Sequence, residues 1–179
     1  MVMKKQTKKI TPIAKPSEVS YVRPSWDEYF IGIMHAVGAR ATCDRGRTGC
    51  VLVKDKHIIS TGYVGAPAGC RSCDDIGHEM NTVTYEDGTQ SRHCIRTSHN
   101  EENAIAQAAR MGISTEGATL YCMMTPCYTC AKLLINAGIK RVVAEKDYHA
   151  GTRSKEIFME AGVKYELLNN DMMTYGDQK

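Results

Sequence analysis

The 179-residue sequence predicts an α/β protein in which helices cover both faces of a mixed sheet, giving a three-layer α/β/α sandwich. Two observations support this prediction. After residue 97, helical and strand patterns alternate, which requires crossover connections between parallel strands. Before residue 62, two short apolar runs are joined by Lys54-Asp55-Lys56, which is typical of an antiparallel hairpin. A hairpin added to parallel strands makes the sheet mixed.

Each element follows from its apolar spacing and its end signals. The first helix begins after Ser25, which can cap it, and its apolar residues keep helical spacing until Gly38. The hairpin strands cover residues 50–53 and 57–59. Glycines bound most of the later elements, which are helices over 98–111, 127–137 and 152–161 and strands over 118–124, 141–144 and 163–168.

The domain organisation is one folded unit with two tails and one polar insert. Residues 1–23 form a basic tail without periodicity, 24–170 the single domain, and 171–179 a C-terminal tail. The insert covers about 62–97, where core-forming residues are scarce and Glu86-Asp87-Gly88 predicts a small turn.

Charge and hydropathy exclude several classes of protein. The net charge is +3, but five lysines precede Glu18, and the rest of the chain has 18 basic and 20 acidic residues, or −2. A body without clustered Lys and Arg does not favour duplex nucleic acid. No run of 18 apolar residues predicts a membrane span, and no apolar stretch follows the N-terminal lysines as in a secretory signal. We therefore expect a cytoplasmic protein.

The chain has eight cysteines and six histidines, which is many for a reducing compartment and favours metal ligands over disulfides. Cys127 and Cys130 lie three residues apart at the start of a helix, and His99 opens another. One imidazole and two thiolates leave the fourth zinc position for water, which is typical of a catalytic site. Glu101 is then the candidate general acid/base. Residues two apart do not share a helix face, so His99 and Glu101 converge only at an irregular helix start.

Each part of this motif has a simpler interpretation. Ser98 and Glu101 have the spacing of a capping box, so Glu101 could only cap the helix. The Cys-x-x-Cys pair could be a redox pair or two core thiols, and a single histidine is more often structural. Together, however, His-x-Glu and Pro-Cys-x-x-Cys form the signature of zinc nucleobase deaminases.

The sequence resembles the deoxycytidylate (dCMP) deaminases of the cytidine deaminase-like superfamily. Beyond the zinc motif, the resemblance lies in Gly62-Tyr63-Val64-Gly65-Ala66-Pro67-Ala68-Gly69, in His93-Cys94-Ile95-Arg96-Thr97, and in the segments 99–105, 126–132, 137–140 and 145–148. It implies a mixed five-stranded sheet and zinc-dependent hydrolysis of dCMP to dUMP and ammonia, which feeds thymidylate synthesis. Glu101 would protonate ring N3 and then the leaving amine.

The resemblance also implies substrate contacts. It places Asn103 near the site, Tyr148 against the substrate, and Tyr63 and Val64 in the nucleotide loop. We add Arg40 and Arg45 as weaker candidates for phosphate contacts, although Arg40 could equally be a charge on the helix surface. Two positions depart from the family pattern. Val64 stands where Asn is common, which leaves sugar and base selectivity open, and Asn100 stands where Ala is usual.

A second metal site is expected in the polar insert, which apolar packing alone cannot order. Cys43, Cys73, His78 and Cys94 supply the three sulfurs and one nitrogen of a closed structural zinc site, and relatives carry a second zinc in this region. Cys70 or His93 could replace one ligand, or the cysteines could be free thiols. The remaining cysteines, Cys50 and Cys122, lie in apolar strands and are expected in the core.

The resemblance further implies a homo-oligomer, with a hexamer favoured, and regulation by dCTP and dTTP, with Mg²⁺ accompanying a regulatory dCTP. The alternative substrates are dCTP, a 5-modified dCMP, or adenosine in tRNA. A zinc-stabilised binding module without activity is the non-enzymatic alternative, and the presence of Glu101 argues against it.

Overall fold

The computed structural model describes residues 21–84, 88 and 90–173. Most of the predicted N-terminal tail, the turn residues 86 and 87, and residues 174–179 therefore lie outside the described part of the chain. Within the described part, no helix is long and apolar enough to cross a membrane.

The central sheet has five strands, as expected, and it is mixed. Its strands are β1 (Gly49–Lys54), β2 (His57–Tyr63), β5 (Thr119–Met124), β6 (Arg141–Lys146) and β7 (Lys164–Leu167), in the order β2-β1-β5-β6-β7. β1 pairs antiparallel with both β2 and β5, whereas β5, β6 and β7 are parallel. The β1–β2 turn contains Asp55 and Lys56 with positive φ, as tight hairpins require.

Helices cover both faces of this sheet. They are α1 (Trp26–Gly38), α3 (Asn100–Arg110), α4 (Tyr128–Asn136) and α5 (Thr152–Glu160). Alternate strand residues face opposite sides, because the side-chain period of a strand is two. One apolar cluster joins α1 to Val51 and Val143, and the other joins Leu52 and Val142 to α3, α4 and α5. The three-layer α/β/α prediction is confirmed.

The polar insert has more structure than the sequence predicts. It contains a four-residue helix, α2 (Cys73–Ile76), and a separate two-stranded antiparallel sheet of β3 (Met80–Thr84) and β4 (Gln90–Cys94). β3 is largely exposed and β4 contributes little to the core. Neither strand therefore has the alternation of apolar residues by which a strand is predicted from sequence.

β2 is longer than predicted, because it continues past Ile59 to Tyr63. Gly62, which we placed in the insert, therefore belongs to the central sheet. A side chain there would collide with α3, since a Cβ atom would lie 2.0 Å from the Asn100 carbonyl oxygen. This glycine allows β2 and α3 to approach closely, and that approach places the start of α3 beside the sheet.

Candidate active site and metal centres

Two helix starts converge above the carboxyl ends of the parallel strands. His99 precedes α3 as its N-cap, and Cys127 precedes α4 as its N-cap; both have extended backbone conformations. The His99 Nδ1 atom lies 3.5 Å from Cys127 Sγ and 3.4 Å from Cys130 Sγ. The three ligand atoms lie within 4.8 Å of one another, which suits one tetrahedral metal ion.

The Cys127 thiol is poised for metal binding. The pKa of Cys127 lies well below that of an ordinary thiol, because its sulfur accepts hydrogen bonds from Cys130 and His99. The same contact with Cys127 raises the pKa of His99 to about 9. The N-termini of α3 and α4 also favour negative charge at this point. A nitrogen and two sulfurs in this electropositive setting fit Zn²⁺, with a fourth position open.

Glu101 lies in the first turn of α3 and is 3% exposed. Burial raises the pKa of its carboxyl to about 7, although His99 opposes this shift. The interpretation of Glu101 as a helix cap is wrong. The N-cap is His99 rather than Ser98, and it is Glu102 whose carboxylate accepts the His99 N–H, at 2.8 Å. Because His99 lies outside the helix, it and Glu101 can face the same space.

That space is a cavity bounded by both helix starts and by the polar insert. His99, Glu101 and Cys127 form part of its wall. Of the residues expected at the substrate, Val64, Tyr148 and Arg45 line it. The cavity thus brings together residues that are far apart in the sequence.

The other expected substrate residues lie elsewhere. Asn103 is absent from the cavity wall, and its Nδ2 donates to the Tyr63 carbonyl oxygen at 2.8 Å, which ties α3 to the end of β2. Tyr63 is not part of the wall either, but it precedes Val64, which is. Arg40 is exposed beyond α1 and does not line the cavity. Asn103 and Tyr63 therefore support the wall from behind.

The second cluster joins Cys43, which lies between α1 and β1, to three residues of the insert. The ligand atoms of Cys43, Cys73, His78 and Cys94 all lie within 4.8 Å of one another. Hydrogen bonds from the backbone of Arg96 and Glu79 lower the pKa of Cys94 to about 7, although burial opposes this shift. Three sulfurs and one nitrogen complete a tetrahedral set without an open position.

The alternative ligands for this second cluster lie outside it. Cys70 is exposed, and the Nε2 atom of His93 lies 2.7 Å from Ser91 Oγ. His93 instead lines the cavity, although the sequence suggested this histidine only as a metal ligand. Cys50 and Cys122 are fully buried in the sheet, as expected.

Sequence reasoning missed several residues of the cavity wall. They come from the loop before β1, from β4, from the start of α3 and from the end of β5: Thr48, Arg92, Asn100, Met124 and Thr125. Asn100 stands inside the zinc motif but is not one of its signature residues, and the other four belong to no motif. Arg92 could have been found from its position two residues before Cys94. When Cys94 joins the second cluster, Arg92 comes to the cavity wall.

Known proteins share both the motifs and the fold. Residues 24–146 match the profile described as the cytidine and deoxycytidylate deaminase zinc-binding region. The chain belongs to this deaminase family. It is 40% identical over 151 residues to ComE operon protein 2 of Bacillus subtilis, covering 84% of this chain and 75% of that protein.

Relatives within the family include a shorter viral enzyme. The chain is 39% identical over 130 residues to the deoxycytidylate deaminase of Mycobacterium phage D29, covering 70% of this chain and 98% of the relative. The crystal structure of the dCMP deaminase of cyanophage S-TIM5, in complex with dCMP and dUMP, matches with a TM-score of 0.65 and 25% identity. That match covers 82% of this chain and 99% of the phage protein.

Proposed function

We propose that this deaminase hydrolyses dCMP to dUMP and ammonia. The observation that carries the proposal is a buried carboxyl, Glu101, in the same cavity as the His99, Cys127 and Cys130 cluster. The phage D29 relative is named deoxycytidylate deaminase, and the cyanophage structure contains dCMP and dUMP, which supports this substrate. The product dUMP would supply thymidylate synthesis.

His99, Cys127 and Cys130 would hold the catalytic zinc. Bound there, Zn²⁺ supplies the acidity that makes a water molecule nucleophilic near neutral pH. Glu101 is the proton carrier of the chain: its carboxylate takes a proton from the attacking water and delivers it to N3 of cytosine. The same carboxylate then takes the remaining proton from the hydroxyl group added at C4 and delivers it to the amine at C4, which leaves as ammonia while the C4 carbonyl forms. A pKa near 7 suits a group that must both accept and donate.

The cavity wall supports recognition of a nucleoside monophosphate. Arg45 and Arg92 bring positive charge to the side formed by the insert, where the Arg45 Nη2 donates to the Arg92 carbonyl oxygen at 3.0 Å. We assign the phosphate contact to Arg45 and retain Arg40 as the weaker candidate, since it does not line this cavity. Tyr148 offers a ring for packing against the base.

Ammonia release tests the proposed function. Purified protein with zinc would be assayed on dCMP, 5-methyl-dCMP, dCTP, cytidine and a tRNA, and we expect dCMP to give the highest kcat/KM. Turnover of dCTP or of 5-methyl-dCMP alone would support the alternative of another cytosine nucleotide, consistent with the apolar Val64. Activity only on tRNA, or on no substrate, would refute the proposal.

The proposed zinc content is two ions per chain, with the second held by Cys43, Cys73, His78 and Cys94. We further propose a cytoplasmic homo-oligomer, with a hexamer favoured, that is regulated by dCTP with Mg²⁺ and by dTTP. Light scattering of the purified protein tests the assembly. Assays at subsaturating dCMP test the regulation, where dCTP should raise the rate and dTTP should lower it.

A further inference from the structure

Asn100 has an unusual environment for a polar side chain. It is the first residue of α3 and is 3% exposed, yet its Nδ2 atom has no hydrogen-bond partner. Among the described residues that are not exposed, Ser154 Oγ is the other buried side-chain atom with this property. A buried polar group without a partner destabilises a protein, so its presence calls for a physical reason.

The side chain of Asn100 differs from that of Ser154 in what surrounds it. Asn100 lines the cavity between His99 and Glu101, whereas Ser154 lies in α5 and does not line it. The unpartnered amide therefore belongs to a residue of the cavity wall, between the His99 ligand and the Glu101 carboxyl. Val64 and Met124, which line the same cavity, have no side-chain N–H or O–H group to donate.

The backbone of Asn100 is held from two sides. Its carbonyl oxygen accepts the thiol hydrogen of Cys50 at 3.2 Å, and Gly62 packs directly against the same oxygen. These contacts join the start of α3 to the sheet. The backbone that carries the side chain is consequently fixed before any ligand enters, which favours a preorganised recognition group.

We propose that the Asn100 side-chain amide is a specificity-determining donor to an acceptor oxygen on the pyrimidine ring of the substrate. This inference rests on the proposed deamination of a cytosine nucleotide. Two exocyclic oxygens fit the chemistry: the 2-carbonyl oxygen that every cytosine carries and the hydroxyl oxygen of a 5-hydroxymethyl group. Either one would give Nδ2 the partner that it lacks in the free protein.

The test measures kcat/KM for dCMP and for 5-hydroxymethyl-dCMP with the Asn100→Ala and Asn100→Leu variants. Both variants remove the donor, and Leu also keeps most of the side-chain volume. We expect a loss of about 10-fold to 100-fold on at least one substrate. Equal losses on both substrates indicate the 2-carbonyl, and a loss confined to 5-hydroxymethyl-dCMP indicates the 5-hydroxyl.

Ser154→Ala is the matched control, because it removes the other unpartnered buried polar group at a distance from the cavity. It should leave kcat/KM unchanged. The melting temperature of free Asn100→Ala should stay the same or rise, since no hydrogen bond of Nδ2 is lost, and its zinc content should not change. These readouts separate recognition from a structural role.

Wild-type kcat/KM values on both substrates in both Asn100 variants would overturn the inference. A loss accompanied in both variants by lower zinc content and a lower melting temperature would overturn it as well. If instead the wild-type protein released no ammonia from either nucleotide, the proposed function itself would fail. The two failures are therefore distinguishable in one set of assays.

Discussion

Glu101 and Glu102 are adjacent in the sequence, but they have different roles. The Glu102 carboxylate accepts the backbone N–H of His99 and stabilises the start of α3. Glu101 is buried on the cavity side with a pKa of about 7. Because Glu102 caps the helix, the Glu101 carboxyl is not needed for capping. It lies next to the Cys/His cluster and can carry protons during the reaction.

Glu101→Gln should lower kcat for dCMP by at least about 100-fold, the usual contribution of a positioned acid/base. The amide cannot carry the proton, but it fits the same space, so zinc content should stay at the wild-type value. Steady-state ammonia release and atomic emission measure both properties. Glu102→Gln is the matched control and should lose little activity, because its amide oxygen can still accept the His99 N–H. Full activity in Glu101→Gln would contradict the proton-carrier role.

At the scale of elements, the polar insert and the catalytic cluster are joined by one cavity. β4 contributes Arg92 and His93 to the wall and ends at Cys94, a member of the second cluster. Few apolar contacts hold this insert, so a metal in the second cluster would supply the missing order. The shape of the substrate cavity would then depend on a metal that takes no part in the chemistry.

Cys73→Ser should reduce the zinc content from two ions per chain to one and raise the KM for dCMP, since the wall around Arg92 loses its anchor. Native mass spectrometry counts the ions. Cys70→Ser is the control, because this exposed thiol lies outside the second cluster and its loss should leave two ions. An unchanged zinc count in Cys73→Ser would contradict the second site.

Close packing of β2 against α3 gives another prediction at this scale. Gly62→Ala should destabilise the fold by about 1–3 kcal/mol, the usual effect of overpacking. Its Cβ would lie 2.0 Å from the Asn100 oxygen and 2.6 Å from the Ala104 nitrogen. Gly32→Ala is the control: nothing lies within 4 Å of its added Cβ in α1, so it should stabilise by about 0.5–1 kcal/mol. Denaturant unfolding measures both, and equal stabilities would refute the packing argument.

At the scale of the whole molecule, Arg141 links elements that are distant in the sequence. Its guanidinium contacts Asp27 of α1 and Glu166 of β7, each at 2.8 Å. Tyr121 of β5 also donates to Asp27, at 2.6 Å. Hydrogen bonds from Arg141 lower the pKa values of Asp27 and Glu166 to about 2. The network connects the helix on one face to three strands.

These lowered pKa values predict how stability depends on pH. Asp27 and Glu166 bind protons more readily when unfolded, with ordinary pKa values of 3.8 and 4.5, so stability rises with pH across this range. The contribution is complete above about pH 5.5 and is lost progressively as the pH falls towards 2. Partial exposure of both carboxylates keeps the effect modest.

Arg141→Gln should lower the melting temperature at pH 7, and the difference from wild type should shrink as the pH falls below 4. Lys140→Gln is the control, since it removes a neighbouring positive charge whose distance to Glu116 is 4.0 Å on the exposed surface. Its melting temperature should stay close to that of wild type. A pH-independent effect of Arg141→Gln would show that the ion pairs do not cause it.

The sequence by itself determined the chemistry and the layers of this protein. Residue spacing and helix-start signals were sufficient to identify the candidate residues of the catalytic site, because their motif is local and each half begins a helix. These residues are His99, Glu101, Cys127 and Cys130. Apolar periodicity was likewise sufficient for the sandwich, because each element must bury one face.

Only the tertiary structure decided which distant residues meet. It left the alternative ligands Cys70 and His93 outside the second cluster, and it placed Asn100, with its unpartnered amide, in the cavity wall. Such contacts depend on how the strands are ordered and how loops between them return, and no local pattern encodes that. The exposed insert shows this most clearly, since residues that are not selected for burial leave no periodic signal in the sequence.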